Sequence, residues 1–187
     1  MRLFIYQRGS NYKIYQDNQE DLLFVGEWYR KWNQGRQLLL TDLQGNPLLT
    51  AKETDYKWWK WKRNRPYRLV LLQEQHTFDL TCVHYRQQHW QMTDGKDIYD
   101  YYVHRRHLKS IFKNDIQIAG INKKIFHWYQ HDTLYIDLDR DVNPLLLAGL
   151  ALTFDMGEDK REGTVTIDLG TISLSKRREY NQEWSPK

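Results

Sequence analysis

The stretch Asn143-Pro-Leu-Leu-Leu-Ala-Gly-Leu-Ala-Leu-Thr-Phe-Asp-Met-Gly157 decides the fold of this chain. Asn143 suits the N-cap of a helix, because its side chain can accept hydrogen bonds from the free N–H groups of the first turn. Pro144 fits the first helical position, where its missing N–H costs nothing, and Gly157 can end the helix. These caps predict an α-helix over about residues 144–156.

This helix has no polar face. Large apolar side chains occur at all angles around its axis, so the helix must be covered on every side. At roughly 1.5–3 kcal/mol for each side chain, burying them contributes on the order of 10–20 kcal/mol. The side chains are those of Leu145, Leu146, Leu147, Leu150, Leu152, Phe154 and Met156. Because most of the remaining sequence is strand-like, we expect the cover to be a β-sheet.

Short runs of alternating apolar and polar residues, typical of half-buried strands, fill most of the remaining sequence. These runs are residues 2–7, 11–15, 22–29, 36–42, 48–53, 57–62, 67–73, 77–85, 89–93, 98–104, 116–121, 124–129, 133–138 and 164–169. Residues 107–112 are a further candidate. Turn-forming sequences separate some of the runs, such as Asp42-Leu-Gln-Gly45-Asn-Pro47 and Asp94-Gly95.

A single sheet of about a dozen strands curls or closes to remove its edges. A barrel with that many strands is too wide for its own side chains to fill. The helix over residues 144–156 solves this problem by occupying the interior. The sequence therefore predicts a mainly β fold, a closed antiparallel β-barrel of about twelve strands around one central hydrophobic α-helix.

The length of 187 residues is enough for one well-cored domain. We expect residues 1–175 to form this barrel domain and residues 176–187 to form a polar, mobile C-terminal tail. An aromatic content of 14% fits a chain rich in strands. The net charge of +4 permits anionic partners without requiring them, so local clusters of charge matter more than the total.

Several features indicate a cytoplasmic protein. The chain has a single cysteine, Cys82, which cannot form an internal disulfide. The N-terminus becomes polar before a signal-peptide core of 7–15 apolar residues could form. The longest apolar run begins at Pro144 and is well short of the ~20 residues that cross a bilayer, so we expect no transmembrane span.

The turn Leu40-Thr-Asp42-Leu-Gln-Gly45-Asn-Pro-Leu48 and the strand Leu134-Tyr-Ile-Asp-Leu-Asp139, which leads into the leucine-rich helix, carry a resemblance. In the order of its elements over residues 1–157, the chain resembles the tubby C-terminal-like superfamily. That group includes the LURP-one-related proteins and the phospholipid scramblases. The resemblance implies a twelve-strand barrel around a central hydrophobic helix. It does not account for the 30 residues after Gly157, because the helix of that superfamily usually lies close to the C-terminus.

What the resemblance implies about function is broad. Tubby proteins bind phosphoinositide headgroups, scramblases are linked to membrane lipids, and many LURP-one-like proteins have no assigned activity. No headgroup-binding residue of these proteins is matched to a position in this sequence.

The most unusual local composition lies between Tyr56 and Arg68, where cations alternate with tryptophans and no acidic residue intervenes. Indole rings beside cations suit a lipid headgroup layer. The same chemistry suits unpaired nucleic acid, and a hairpin whose cations are simply solvated is the third interpretation. The candidate ligand-binding residues are Lys57, Trp59, Lys60, Trp61, Lys62, Arg63, Arg65 and Arg68.

Two patterns suggest metal ligands, but neither predicts a site. Asp137-Leu-Asp139-Arg-Asp141-Val-Asn143 has carboxylate spacing, yet an EF-hand would need other residues than Val142 and Ala148 at its sixth and twelfth positions. Histidine pairs three or four residues apart also occur, at 104 and 107 and at 127 and 131. On a strand, residues four apart lie ~13 Å from each other and residues three apart face opposite sides.

The chain also contains no Gly-x-Ser-x-Gly elbow and no glycine-rich phosphate loop. Cys82 lies in mid-strand on the expected inner face and is most simply a small core residue. We therefore expect a non-enzymatic binding module without metal or cofactor, which docks on anionic phospholipid headgroups or another polyanion. A protein-interaction or scaffold domain is the alternative, and nucleic-acid binding is a further one.

Overall fold

The computed structural model of the chain describes residues 1–17, 20–32, 34–55, 66–84, 89–104, 108–126, 131–157 and 178–187. This part of the chain contains twelve strands and one helix. The strands are β1 (Arg2–Arg8), β2 (Asn11–Gln16), β3 (Asp21–Lys31), β4 (Gly35–Thr41), β5 (Pro47–Glu53), β6 (Tyr67–Leu71), β7 (His76–His84), β8 (His89–Thr93), β9 (Ile98–Val103), β10 (Leu108–Lys113), β11 (Ile116–Phe126) and β12 (His131–Leu138). The helix α1 spans Pro144–Gly157.

The strands form a closed antiparallel barrel in which each strand pairs with its neighbours in sequence. The first and last strands close the barrel, with Ile5 of β1 opposite Leu134 of β12. No strand edge is left exposed by this arrangement, which removes the aggregation risk of an open sheet. The predicted mainly β fold, a closed barrel of about twelve strands, is confirmed.

The helix α1 lies inside the barrel, as predicted, and contacts β4, β5 and β6. Leu147, Ala148 and Leu150 are 0% exposed, so the helix is covered on several faces. Its N-terminus is capped by Asn143, whose Oδ1 accepts hydrogen bonds from the amides of Leu145 at 2.9 Å and Leu146 at 3.2 Å. None of the helical residues that the structure describes makes a segment long and apolar enough to cross a bilayer.

Near the end of α1, aromatic rings pack between the helix and the barrel wall. The Phe154 ring stacks on Tyr101 with centroids 4.4 Å apart and meets Trp90 edge-on at 5.6 Å. Lys109 is also buried here, with Nζ 4.9 Å from the centroid of the Phe154 ring. A cation over an aromatic face is favourable, particularly where water is excluded. No pattern in the sequence of β10 predicts that this lysine lies in the interior.

The strand boundaries differ from the sequence prediction in one region. Residues 116–121 and 124–129 were expected to form two strands, but Ile116–Phe126 is one continuous strand, β11. Asn122 and Lys123 pair with Tyr135 and Leu134 of β12, so no turn interrupts it. The candidate strand at 107–112 is present as β10 (Leu108–Lys113). The predicted strands at 57–62 and 164–169 lie outside the described residues.

Candidate functional site

The antiparallel order of the strands sorts the connections between them onto two ends of the barrel. Connections that follow odd-numbered strands join strand ends at one end, and connections that follow even-numbered strands join them at the other. The connection from β12 to α1 also begins at the second end, where the helix enters the interior. The composition of each end can therefore be read from the sequence and the strand bounds.

The two ends have opposite charge. Connections at the first end, here called the basic end, contain one acidic residue, Asp55, and eight basic ones. These are Lys57, Lys60, Lys62, Arg63, Arg65, Arg86, Arg105 and Arg106. Connections at the second end, here called the acidic end, contain two basic residues, Lys96 and Arg140, and nine acidic ones. These are Asp17, Glu20, Asp42, Glu74, Asp94, Asp97, Asp115, Asp139 and Asp141. The sequences that connect the strands thus differ in charge between the two ends, and the eight basic residues of the first group lie outside the described residues.

The connection between β3 and β4 is the best-described part of the basic end. The connection begins at Trp32, directly after β3. The sequence Trp28-Tyr-Arg-Lys-Trp32 that leads into it contains two cations between two tryptophans. Trp32 is 91% exposed, the highest value among the large apolar side chains that the structure describes. Sequence analysis missed this hairpin, although its alternation of indole and cation repeats the composition of residues 56–68.

Cations next to this hairpin are close to aromatic rings and to each other. Lys31 Nζ lies 5.6 Å from the centroid of the Tyr29 ring, and Arg36 Cζ lies 5.9 Å from that of Trp28. Arg30 and Arg36 are directly opposite each other in the register of β3 and β4. This pairing places both cations within one residue of the β3–β4 connection.

Glu53 of β5 contacts the first residues of β4 and holds this side of the hairpin in place. Gly35 has a φ of +74°, and a Cβ atom built on it would lie 2.5 Å from Glu53 Oε2, so a side chain is excluded at this position. The same carboxylate oxygen accepts a hydrogen bond from the Arg36 amide at 3.2 Å. Gln37 Nε2 donates to Gln34 Oε1 at 2.9 Å, next to the tip. These contacts hold the start of β4, next to the connection that contains Trp32.

Most of the site residues predicted from the sequence cannot be placed. Lys57, Trp59, Lys60, Trp61, Lys62, Arg63 and Arg65 lie outside the described residues, but the strand ends that flank them, at Glu53 and Tyr67, are at the basic end. Arg68 is described, and its Nε is 2.8 Å from Asp79 Oδ1 on β7. This hydrogen bond raises the pKa of the Arg68 guanidinium. Arg68 is thus in an ion pair along the wall of the barrel.

Carboxylates at the acidic end take part in turn structure. Asp42 Oδ1 accepts hydrogen bonds from the amides of Gln44 at 2.9 Å and Asn46 at 2.8 Å, and its Oδ2 accepts one from Asn46 Nδ2 at 2.7 Å. The Asn46 side chain is the main reason that the pKa of Asp42 is lowered. Asp97 Oδ2 lies 2.7 Å from Lys113 Nζ, and that contact likewise lowers the pKa of Asp97. These acidic groups have structural roles at neutral pH.

Three of the histidines are paired with other side chains. His76 Nε2 is 2.7 Å from Asp94, His89 Nε2 is 2.7 Å from Asp100, and His104 Nε2 is 2.6 Å from Ser110 Oγ. Within the part of the chain that is described, no three His, Cys, Asp or Glu side chains are close enough to hold a metal ion. In the two histidine pairs noted in the sequence, residues 107 and 127 lie outside the described residues, and His131 is described by its backbone.

Cys82 is half-buried and packs against the core rather than lying within it. Burial raises the pKa of its thiol. A nucleophilic cysteine needs a lowered pKa, so this environment does not activate the side chain.

The family model of the LURP-one-related proteins matches residues 1–155. The chain belongs to the LURP-one-related family. This family is part of the tubby-like superfamily, so the resemblance carried by the turn at residues 40–48 and by the central helix is confirmed. No curated protein and no solved structure matches this LURP-one-related chain at a significant level of similarity.

Beyond the residues matched by the LURP-one-related family model, residues 178–187 lie against the outer wall of the barrel. The Trp184 indole donates a hydrogen bond to the Gln117 carbonyl at 3.1 Å, and the Lys187 amide donates one to Asp139 Oδ1 at 2.7 Å. Arg178 Cζ lies 3.7 Å from the centroid of the Phe112 ring. The aromatic and charged side chains of these residues thus have specific partners on the wall.

A cavity of about 380 Å³ lies between this segment and the wall of the LURP-one-related barrel. Gln117, Arg178 and Trp184 are among the residues that line it. Gln117 is 8% exposed, and its Oε1 has no hydrogen-bond partner. The cavity is at the wall and close to the acidic end, because Arg178 pairs with Asp115 of the β10–β11 connection at 2.9 Å. It is therefore separate from the basic end.

Proposed function

We propose that this chain is a non-enzymatic module that binds anionic phospholipid headgroups through the basic end of its barrel. The feature that supports the proposal is the charge of the sequence that connects the strand ends at the basic end, which contains eight basic residues and one acidic residue. This distribution attracts a negatively charged surface to one end and repels it from the other.

The size of the effect is sufficient for binding. A basic residue near an anionic leaflet contributes about 1 kcal/mol, and the contribution falls off within a Debye length. Eight such residues, together with Arg8 and Lys31 at the ends of described strands, would give several kcal/mol even if only half of them approach the surface. Tryptophans in the same connections would add interfacial contacts.

Membership of the tubby-like superfamily is compatible with this function. The proposal retains the residues predicted from sequence, Lys57 to Arg65, and adds the hairpin between β3 and β4. Arg68 stays in the proposal only as a flanking residue, because its guanidinium is already in contact with Asp79.

We propose a cytoplasmic location at the membrane surface, since anionic lipids are concentrated in the cytoplasmic leaflet. The burial of a hydroxyl that is paired with a histidine supports the non-enzymatic part of the proposal. Ser110 contacts His104, but Ser110 is only 1% exposed, so a substrate could not reach its hydroxyl. A nucleophile must be within reach of the bound substrate.

The test is sedimentation of the full chain with vesicles of phosphatidylcholine alone or mixed with phosphatidylserine. We expect binding that requires phosphatidylserine and weakens as salt is added. Charge reversal at Lys60, Lys62 and Arg63 should abolish most of it. A matched control reverses Lys13, Lys96 and Arg140, three exposed cations away from the basic end, and should bind like the unmodified chain.

Two results would contradict the proposal. Equal loss of binding in both triple variants would mean that net charge, rather than the basic end, determines it. Unchanged binding after reversal at Lys60, Lys62 and Arg63 would exclude the proposed surface. Salt-sensitive binding to single-stranded oligonucleotides without any affinity for vesicles would favour the nucleic-acid alternative. Stoichiometric recovery of one partner protein, without affinity for vesicles, would favour a scaffold domain.

A further inference from the structure

We infer that the chain docks on the membrane end-on, with the barrel axis steep to the surface and the Trp32 side chain inserted among the lipid headgroups. This inference rests on the proposed function and specifies its geometry. The partner is a lipid surface, and the contact residue is one to which the sequence analysis assigned no role.

The exposure of Trp32 is the first step. An indole that is 91% exposed leaves its apolar surface in water, and insertion into a partner would remove that surface from water. Trp32 is at the tip of a connection and projects beyond the last paired residues of β3 and β4, Lys31 and Gly35. It is thus positioned to enter a partner without displacing any part of the barrel.

The charges around Trp32 identify the partner. Lys31 precedes it directly in sequence, and Arg30 and Arg36 occupy opposed positions one residue further down the two strands. Protein interfaces are depleted of charged residues at their centres and of lysine in general, although arginine is enriched in them, so Lys31 next to Trp32 is the residue that argues against a protein partner. A headgroup layer instead combines phosphate groups for the cations with a boundary region that tryptophan prefers. The local chemistry therefore fits lipid better than protein.

The rigidity of the hairpin is the third step. Gly35 packs on the Glu53 carboxylate, and the Gln34 amide donates to the Lys31 carbonyl at 3.2 Å. A backbone held in place before binding loses less conformational entropy when it binds. Because the hairpin is fixed relative to the barrel, insertion of Trp32 also fixes the orientation of the whole barrel.

The opposite end of β4 offers an internal control. Leu43, in the β4–β5 connection, is also an exposed apolar side chain, at 55%, but it lies next to Asp42 at the acidic end. The seven residues of β4 separate the two positions by roughly 20 Å at ~3.3 Å per residue. If the barrel docks end-on, one position enters the headgroup layer while the other stays in water.

The experiment places a probe at each position. Cys82 is replaced by alanine, and Trp32→Cys or Leu43→Cys is then labelled with a polarity-sensitive fluorophore. Full-length protein is mixed with vesicles that contain phosphatidylserine and a nitroxide-labelled lipid. We expect a blue shift and quenching at position 32 and neither at position 43. In an unlabelled chain, Trp32→Ala should weaken partitioning about tenfold, while Trp32→Phe should restore part of it.

The outcomes separate this inference from the proposed function. If vesicles sediment the protein but the probes at 32 and 43 respond equally, or only the probe at 43 responds, the end-on geometry is wrong and the headgroup-binding function stands. If no vesicle sediments the protein, both fail. Unfolding midpoints of the variants, which should equal that of the parent because both side chains are exposed, exclude misfolding as a cause.

Discussion

Gly149 of α1 lies so close to Leu49 of β5 that a Cβ atom built on the glycine would be 2.5 Å from Leu49 Cδ1. Leu49 is itself 0% exposed, so it has no free space into which it can move. The glycine therefore allows the backbone of the helix to approach the barrel wall at this point. The contact sets the position of the helix in the interior.

The first prediction is that Gly149→Ala destabilises the fold, although alanine is the better helix former. The gain in helix propensity is about 1 kcal/mol, whereas overpacking a core costs ~1–3 kcal/mol. We expect a net loss of about 1 kcal/mol in the free energy of unfolding, measured with urea. The matched test adds Leu49→Ala, which by itself costs ~2–5 kcal/mol. The double variant should be more stable than the sum of the two losses predicts, and strict additivity would show that the side chains do not meet.

The second prediction concerns how the stability of the fold depends on pH through Asp42. The pKa of Asp42 is lowered in the folded state, mainly by the hydrogen bond from the Asn46 side chain. A carboxyl group of this kind stabilises the fold fully above its unfolded pKa of ~3.9, and the contribution is lost as pH falls through the lower folded pKa. Asp42→Asn should therefore unfold at a lower temperature than the parent near pH 7, with a gap that narrows towards pH 3. A gap that is constant over this range would mean that ionisation of Asp42 is not involved.

The third prediction concerns the C-terminal segment. Trp184 donates a hydrogen bond to the Gln117 carbonyl and lies over Gly120, where a Cβ atom would be 3.3 Å from the indole. We expect Trp184→Ala to lower the free energy of unfolding by about 1–3 kcal/mol and to speed amide exchange in β11. Trp184→Phe keeps a ring over Gly120 and should lose only ~1 kcal/mol, the value of one hydrogen bond. If Trp184→Ala is as stable as the parent, the segment contributes nothing to the fold.

Local sequence was sufficient to predict the helix and the closed barrel. Asn143 and Pro144 have capping preferences that act within one turn, and the absence of a polar face on the following residues requires cover on all sides. Strand number followed from alternation and from turn residues such as Gly45, because these preferences are also local. Within the described residues, the predicted division of residues 116–129 into two strands was wrong, since pairing with β12 carries β11 past Asn122 and Lys123.

The candidate site depended on the tertiary structure. Trp32 is far in sequence from residues 57–65, and the antiparallel order of the strands brings the strand ends that flank both connections to one end of the barrel. The pairing of Arg68 with Asp79 depends on the register of β6 and β7, which local sequence does not specify. Composition and capping thus determined what the barrel is made of and that a helix fills it. Strand pairing decided which connections lie at the same end of the barrel and which surface cations, such as Arg68, have an acidic partner. The reason is that electrostatic and packing contacts depend on distance in space rather than on separation along the chain.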